Sequence, residues 1–169
     1  MSGRLGAAER EVLVAQYRGG HQAVLEAVSG ASDAALDARP AAPGEWTARQ
    51  IVHHLADSET ISGYRLRRLI VEEDPLIEGY DEPRYARVLF YDQRPIGPSL
   101  DALGAARATT VQILERLTED QWARTGRHTE SGPYGVEKWL RIYAAHAHEH
   151  ADQIRRALAA GATGDGASS

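Results

Sequence analysis

Three histidines occupy positions where a helical pattern calls for apolar residues. His146 and His150 lie four residues apart within residues 139–158, which carry an apolar stripe of helical period. This spacing places two imidazoles one above the other on a helix, about 6 Å apart in rise, which suits two ligands of one metal ion. His54 lies on the apolar stripe of an earlier helical stretch. It is the only other histidine predicted to face the core, and it is therefore the candidate third ligand.

The three imidazoles would leave at least one coordination position open on the ion, as in a catalytic rather than a structural metal site. The chain contains no cysteine, so it can supply neither a thiolate ligand nor a cysteine nucleophile. One core-facing histidine is usually a hydrogen-bonded packing residue. Three buried imidazoles without a shared partner would carry a desolvation cost that packing alone does not justify. The set as a whole therefore favours a metal site.

Residues that flank these histidines are not predicted to be metal ligands. His53 is predicted to lie at the edge of the apolar stripe or outside it, and His148 to face the opposite side of its helix and be solvated. Asp57, Glu149 and Asp152 are candidate acceptors that would fix the imidazole tautomers, with solvated helix faces as the alternative. The sequence assigns no catalytic residue beyond the metal ligands.

The helices that must position the histidines have recognisable ends. Thr47 with Gln50 has the form of a capping box, which predicts a helix from Ala48 to Glu73. The last helix follows a polar stretch at residues 125–135 and ends at Gly161, because glycine commonly terminates helices. Two further long helices are predicted over residues 7–29 and from Ser99 to about residue 117.

Residues 74–98 form a long connection interrupted by prolines, with at most short helical pieces around residues 85–91. Connections of this length in compact domains are often functional. The segment carries more apolar side chains than a solvated loop should expose, among them Leu89, Phe90 and Tyr91. It is predicted either to close over the pocket of the protein or to form the interface of a homodimer.

The fold predicted from these elements is an all-α four-helix bundle with a long crossover connection. No segment alternates apolar and polar residues for long, so no strand is expected. Bundle cores commonly hold metals on side chains from facing helices. Residues 1–161 are predicted to form a single domain, and residues 162–169, which are all small or polar, a disordered tail.

Composition excludes several classes of partner. The formal net charge of the 169 residues is -5, and no basic run with interleaved aromatic residues appears, which argues against nucleic-acid binding. No window approaches the roughly 20 apolar residues of a membrane span, and the first residues lack the apolar run of a signal peptide. A cytoplasmic protein is expected, and its partners are predicted to be small molecules or a second copy of the chain.

Several motifs together resemble the DinB/YfiT-like superfamily, and most closely its YfiT branch. They lie at residues 44–47, 53–59, 79–82, 117–121 and 146–154. The resemblance spans roughly residues 20–160, and the two histidine helices are its specific part. It implies a four-helix bundle, often a homodimer, with a divalent metal on His54, His146 and His150. Members often carry another histidine where this chain has Glu149, which changes the charge beside the metal without removing a ligand.

Relatives in that superfamily are described as metal-dependent hydrolases, or as transferases or isomerases that use a small thiol such as bacillithiol. The resemblance therefore implies one divalent ion, with zinc and nickel preferred, and a low-molecular-weight thiol as co-substrate. Histidine sites also accept iron or manganese.

Three functions follow. In the first, a thiol takes the open metal position as a thiolate and attacks an electrophile, which suits a chain without cysteine. In the second, the position holds water whose pKa falls towards about 7, for hydrolysis. Against this, Ala147 stands where helix-embedded metalloproteases place a glutamate. The third is a metal- or ligand-binding stress protein without turnover. The sequence favours the first.

Overall fold

The computed structural model describes residues 4–40 and 42–164. Within these residues seven helices and three short strands follow one another. In chain order they are α1 (Ala7–Val28), α2 (Asp33–Asp37), α3 (Ala48–Val71), β1 (Leu76–Ile77), α4 (Glu82–Val88), α5 (Gly97–Leu114), α6 (Glu119–Trp122), β2 (Thr125–His128), β3 (Gly132–Gly135) and α7 (Val136–Gly164). None of the described helices combines the length and the apolar character that crossing a bilayer would require.

Four long helices form the predicted bundle. Helix α1 packs against α5 and α7, and α3 also packs against α5 and α7. The predicted fold class is confirmed, because the four helices close into one bundle with the crossover between α3 and α5. The helix that carries His54 therefore lies directly beside the helix that carries His146 and His150.

The start of α3 is fixed by the capping box that the sequence predicts. The hydroxyl of Thr47 accepts a hydrogen bond from the backbone N–H of Gln50 at 3.2 Å, and the side-chain oxygen of Gln50 accepts one from the backbone N–H of Thr47 at 3.0 Å. These bonds satisfy two N–H groups that a helix start leaves without partners. The helix ends at Val71, two residues before the predicted end at Glu73.

The apolar core of the bundle is divided into two halves. One half includes Tyr17, Leu66 and Trp139, and the other includes Val24, Ile51 and Ile154. Along each long helix a polar or small residue separates the two halves: Gly20, Glu59, Arg107 and His146. His146 thus lies at this boundary, and His54 and His150 lie on the side of the second half.

The prediction that the chain has no strands is wrong. Strand β1 pairs in parallel with β2, and β2 pairs antiparallel with β3. The strands are two and four residues long, too short for an alternating pattern to be recognised, and β2 and β3 contain glycines. One of these glycines has a clear purpose, because a Cβ on Gly126 would lie 2.5 Å from the backbone oxygen of Pro75. The connection 74–98 is therefore tied to a hairpin by β1.

The ends of α5 and α7 also differ from the prediction, and α5 ends at Leu114 rather than near residue 117. Helix α5 begins at Gly97 rather than Ser99, with Pro98 in its first turn, where proline fits because its missing N–H needs no partner. Helix α7 continues through Gly161 to Gly164. A Cβ at Gly161 would lie 2.4 Å from the Cβ of Ala38, so this glycine permits close packing instead of ending the helix. The first three residues of the predicted tail are thus helical, and residues 165–169 lie outside the described part of the chain.

Candidate metal centre

Helices α3 and α7 bring together the three histidines that the sequence selects. One ring nitrogen from each of His54, His146 and His150 lies within 4.8 Å of the other two. The ring centroid of His54 lies 5.6 Å from that of His146 and 4.9 Å from that of His150. The ring centroids of His146 and His150 are 4.5 Å apart. Among residues 4–40 and 42–164 this is the only group of three or more histidine and acidic side chains close enough to share a metal ion.

Burial keeps these imidazoles in the neutral form that metal ligation requires. His54 is only 2% exposed, and burial followed by the proximity of His150 lowers its pKa to about 3. Burial also lowers the pKa of His146 to about 3, with smaller contributions from the other two rings and from Arg107. The pKa of His150 is lowered by burial as well. At neutral pH all three rings can therefore donate a lone pair.

The hydrogen bonds of the rings fit a bound divalent ion. Nδ1 of His150 lies 2.7 Å from the side-chain oxygen of Gln153. Because that oxygen can only accept, Nδ1 carries the proton and the lone pair of Nε2 is free for a metal. Nδ1 of His54 is buried and makes no hydrogen bond. Buried ring nitrogens without a partner are uncommon in native proteins, and ligation of a metal ion through this Nδ1 would explain it.

The acidic residues proposed as imidazole acceptors are either exposed or paired with other side chains. Glu149 is exposed, Asp152 pairs with a neighbouring arginine, and Asp57 accepts a tyrosine hydroxyl at 2.5 Å. Gln153 instead accepts from His150. The signal that could have found it is its position one turn beyond His150 on the same helix face.

The two remaining candidate histidines have structural partners. His53 is 1% exposed, with Nδ1 at 2.7 Å from the hydroxyl of Ser99 and Nε2 at 3.0 Å from the backbone oxygen of Arg94. It lies outside the ligand group, but it is buried between α3 and the start of α5. Nε2 of His148 lies 2.9 Å from the backbone oxygen of Gln16. The prediction that His148 is solvated is therefore wrong, because it packs half-buried against α1.

Aromatic side chains surround the three histidines. The ring of Trp46 lies 4.9 Å from that of His54, and the ring of Tyr143 lies 5.5 Å from that of His146. Tyr91 stands 6.4 Å from Trp46, is fully buried, and donates its hydroxyl to a carboxylate of α3. Because Tyr91 belongs to the connection 74–98, that segment helps to build the surroundings of the site.

Sequence reasoning missed a buried ion pair next to the histidines. Arg107 Nη1 lies 2.5 Å from Glu59 Oε2, and both side chains are about 1% exposed. Burial raises the pKa of Glu59, and the charge of Arg107 opposes that shift. The only sequence signal is a charged residue at a core-facing position of each helix, which is easily taken for the edge of an apolar stripe.

Comparison with known proteins gives consistent matches. A profile described as the DinB superfamily matches residues 16–154. A protein of Oceanobacillus iheyensis named "Putative metal-dependent hydrolase" is 39% identical over 111 residues, which cover 66% of this chain and 64% of that protein. The chain thus spans slightly less than two thirds of that relative. YfiT of Bacillus subtilis carries the same name and is 34% identical over 132 residues, covering 76% of this chain and 72% of its own length.

A solved structure of Bacillus subtilis YfiT superposes on this fold with a TM-score of 0.85. The superposition covers 91% of this chain and 87% of that one, with 28% sequence identity. That protein is described as "a probable metal-dependent hydrolase with an unusual four-helix bundle topology". The bundle found here is therefore similar to the YfiT bundle along almost the whole chain.

Proposed function

Because this chain belongs to the DinB superfamily, we propose that it is a metal-dependent enzyme whose ion is held by His54, His146 and His150. The reaction proposed is transfer of a low-molecular-weight thiol, such as bacillithiol, to an electrophilic small molecule. One observation carries this choice: the ligand group contains three neutral imidazoles and, in the described part of the chain, no carboxylate. Such a donor set leaves the ion its full positive charge, and the chain has no cysteine to offer sulfur itself.

Zinc and nickel are the ions expected at a site of this composition. A bound ion would lower the pKa of a sulfhydryl group beside it and so would supply a sulfur nucleophile at neutral pH. The chain orients and shields this chemistry. Gln153 holds the His150 ring in one tautomer, and burial keeps the other two rings neutral. The rings of Trp46 and Tyr143 give the site apolar walls that exclude water and suit an apolar electrophile.

Hydrolysis is the second candidate, and the printed names of the relatives favour it. A hydrolase would gain from a carboxylate that takes a proton from water. No acidic side chain joins the histidine group among the described residues, and the residue after the first α7 histidine is the buried Ala147. These features favour thiol transfer. A binding protein without turnover remains the third candidate.

The test compares thiol transfer with hydrolysis in the zinc- and nickel-loaded protein. Bacillithiol, mycothiol, glutathione and cysteine are each offered with monobromobimane, and product is followed by mass. In the expected reaction a carbon–sulfur bond forms, the carbon–bromine bond breaks, and bromide and the thiol proton are released. Conjugation faster than the uncatalysed reaction of thiol with monobromobimane should require the metal-loaded protein, should disappear in His146→Ala, and should persist in His148→Ala.

A parallel panel of esters and amides contains no thiol. Metal-dependent hydrolysis there, without conjugation in the first panel, would replace transfer by hydrolysis. Stoichiometric metal binding without turnover in either panel would leave a binding protein.

A further inference from the structure

One buried arginine connects all four long helices in the layer between the two halves of the core. Arg107 of α5 binds the carboxylate of Glu59 on α3 at 2.5 Å. It also donates to the backbone oxygen of Tyr17 on α1 at 2.6 and 2.9 Å, and to that of Tyr143 on α7 at 3.2 Å. The hydroxyl of Tyr17 donates to the second oxygen of Glu59 and so closes the network.

The fold makes room for this network although the network is not needed to satisfy the backbone. The oxygens of Tyr17 and Tyr143 lie inside helices, where they already accept helical hydrogen bonds. A Cβ on Gly20 would lie 2.7 Å from Arg107 Nη2 and 2.8 Å from the Cβ of Ala147. A glycine, which weakens a helix interior, is therefore placed where the guanidinium and α7 come closest to α1.

A buried ion pair of this kind contributes little net stability, because desolvation offsets the attraction between its charges. Its better-attested role is to fix the register of packed elements. Here the register in question is that of α3 against α7. Glu59 follows His54 by five residues on α3, and Tyr143 precedes His146 by three residues on α7. One guanidinium thus holds both helices within about two turns of the ligands.

We propose that Glu59 and Arg107 are positioning residues for the histidine site. They hold α3 and α7 at the axial offset that places His54 within ligand distance of His146 and His150. A ligand set tolerates displacements of only about 0.5 Å, so a small slide of one helix past the other would weaken metal binding. This inference rests on the proposed metal centre. It predicts that the network contributes more to metal affinity than to the stability of the fold.

The test replaces the whole network by apolar residues of similar size. The triple variant Tyr17→Phe, Glu59→Leu, Arg107→Met leaves no charged or hydroxyl group of the network unpaired in the core. Two quantities are measured: zinc affinity by competition with a chromophoric chelator, and the urea midpoint of unfolding of the metal-free protein. The midpoint should be no lower than in the wild type. The zinc affinity should fall by about tenfold or more, as for loss of other groups that orient metal ligands.

Tyr17→Phe alone is the matched control. It keeps every contact of Arg107 and should bind zinc as the wild type does. Unchanged zinc affinity in the triple variant would overturn the positioning role and leave the metal centre standing. Failure of the wild type to bind zinc or nickel would instead overturn the metal centre itself.

If the triple variant does not fold, Arg107→Lys tests the same positioning role. Lysine keeps the positive charge, but its single ammonium cannot hold Glu59 and both carbonyls in the fork geometry of arginine. A similar loss of zinc affinity is expected in this variant. Wild-type affinity in a folded Arg107→Lys protein would overturn the proposal.

Discussion

Mild acid should destabilise the metal-free protein at a pH well above the range in which its paired carboxylates titrate. Burial lowers the pKa of both His54 and His146 from the ordinary 6.5 to about 3. Between these values the unfolded chain binds protons that the folded protein does not. The free energy of unfolding must therefore fall as the pH falls below 6.5. The pKa of His150 is shifted in the same direction and adds to the effect.

The size of the effect follows from the two pKa values. Between pH 7 and pH 5.5, each of the two histidines should remove about 1.25 kcal/mol from the free energy of unfolding. The pair should remove about 2.5 kcal/mol, a large part of the stability of an ordinary domain. Glu72 and Glu119, whose pKa values are lowered by arginine partners, lose their stabilising effect only as the pH falls through and below about 4.5. Glu59 has a raised pKa and acts in the opposite direction, so a reference variant is needed.

The assay is urea unfolding of chelator-treated protein, followed by circular dichroism at the two pH values. The reference is the double variant His54→Gln, His146→Gln, which retains Glu59 but lacks the two titrating rings. The wild type should lose about 2.5 kcal/mol more than this variant on acidification. The same pH dependence in both proteins would show that these imidazoles are not held neutral by burial, and would refute the reasoning.

Three further predictions concern Gln153, Gly20 and Phe90. Gln153→Leu should weaken zinc binding by about tenfold to a hundredfold, because the His150 ring loses the acceptor that fixes its tautomer. Competition with a chelator measures the affinity, and an affinity equal to that of the wild type would contradict the prediction. Gly20→Ala should lower the free energy of unfolding by about 1 to 3 kcal/mol, since its Cβ would collide with Arg107 and Ala147, and an unchanged urea midpoint would show that the helices move apart freely. The protein should be a homodimer, because Phe90 is 57% exposed beside two other exposed apolar residues. Light scattering should show Phe90→Asp to be monomeric, and a monomeric wild type at micromolar concentration would remove this prediction.

The sequence predicts well those features that depend on local periodicity and capping. His54, His146 and His150 come together because each lies on the apolar stripe of its helix, and the two helices pack side by side. The capping bonds of Thr47 form as predicted, because a capping box involves only residues three apart. Stripe and cap are properties of a single helix, and a single stretch of sequence contains them.

The features that the sequence did not reveal depend on contacts between distant segments. The sequence places Gly126 in a polar loop, and only the structure shows that the backbone of Pro75 packs against it. The sequence places His53 at the edge of an apolar stripe, and only the structure shows that Ser99 at the start of α5 covers it. Arg107 has partners on three other helices, and no pattern within α5 indicates them. Tertiary packing decides these cases.

His54, His146 and His150 are expected to hold one divalent ion. Measuring the metal content of purified protein after loading and dialysis tests this most directly. One zinc or nickel ion per chain is expected in the wild type, and in His53→Ala and His148→Ala if those variants fold. No stoichiometric ion should remain in His54→Ala, His146→Ala or His150→Ala, because two imidazoles hold a divalent ion much more weakly than three. Full metal content in any one of these three variants would contradict the assignment of that histidine as a ligand.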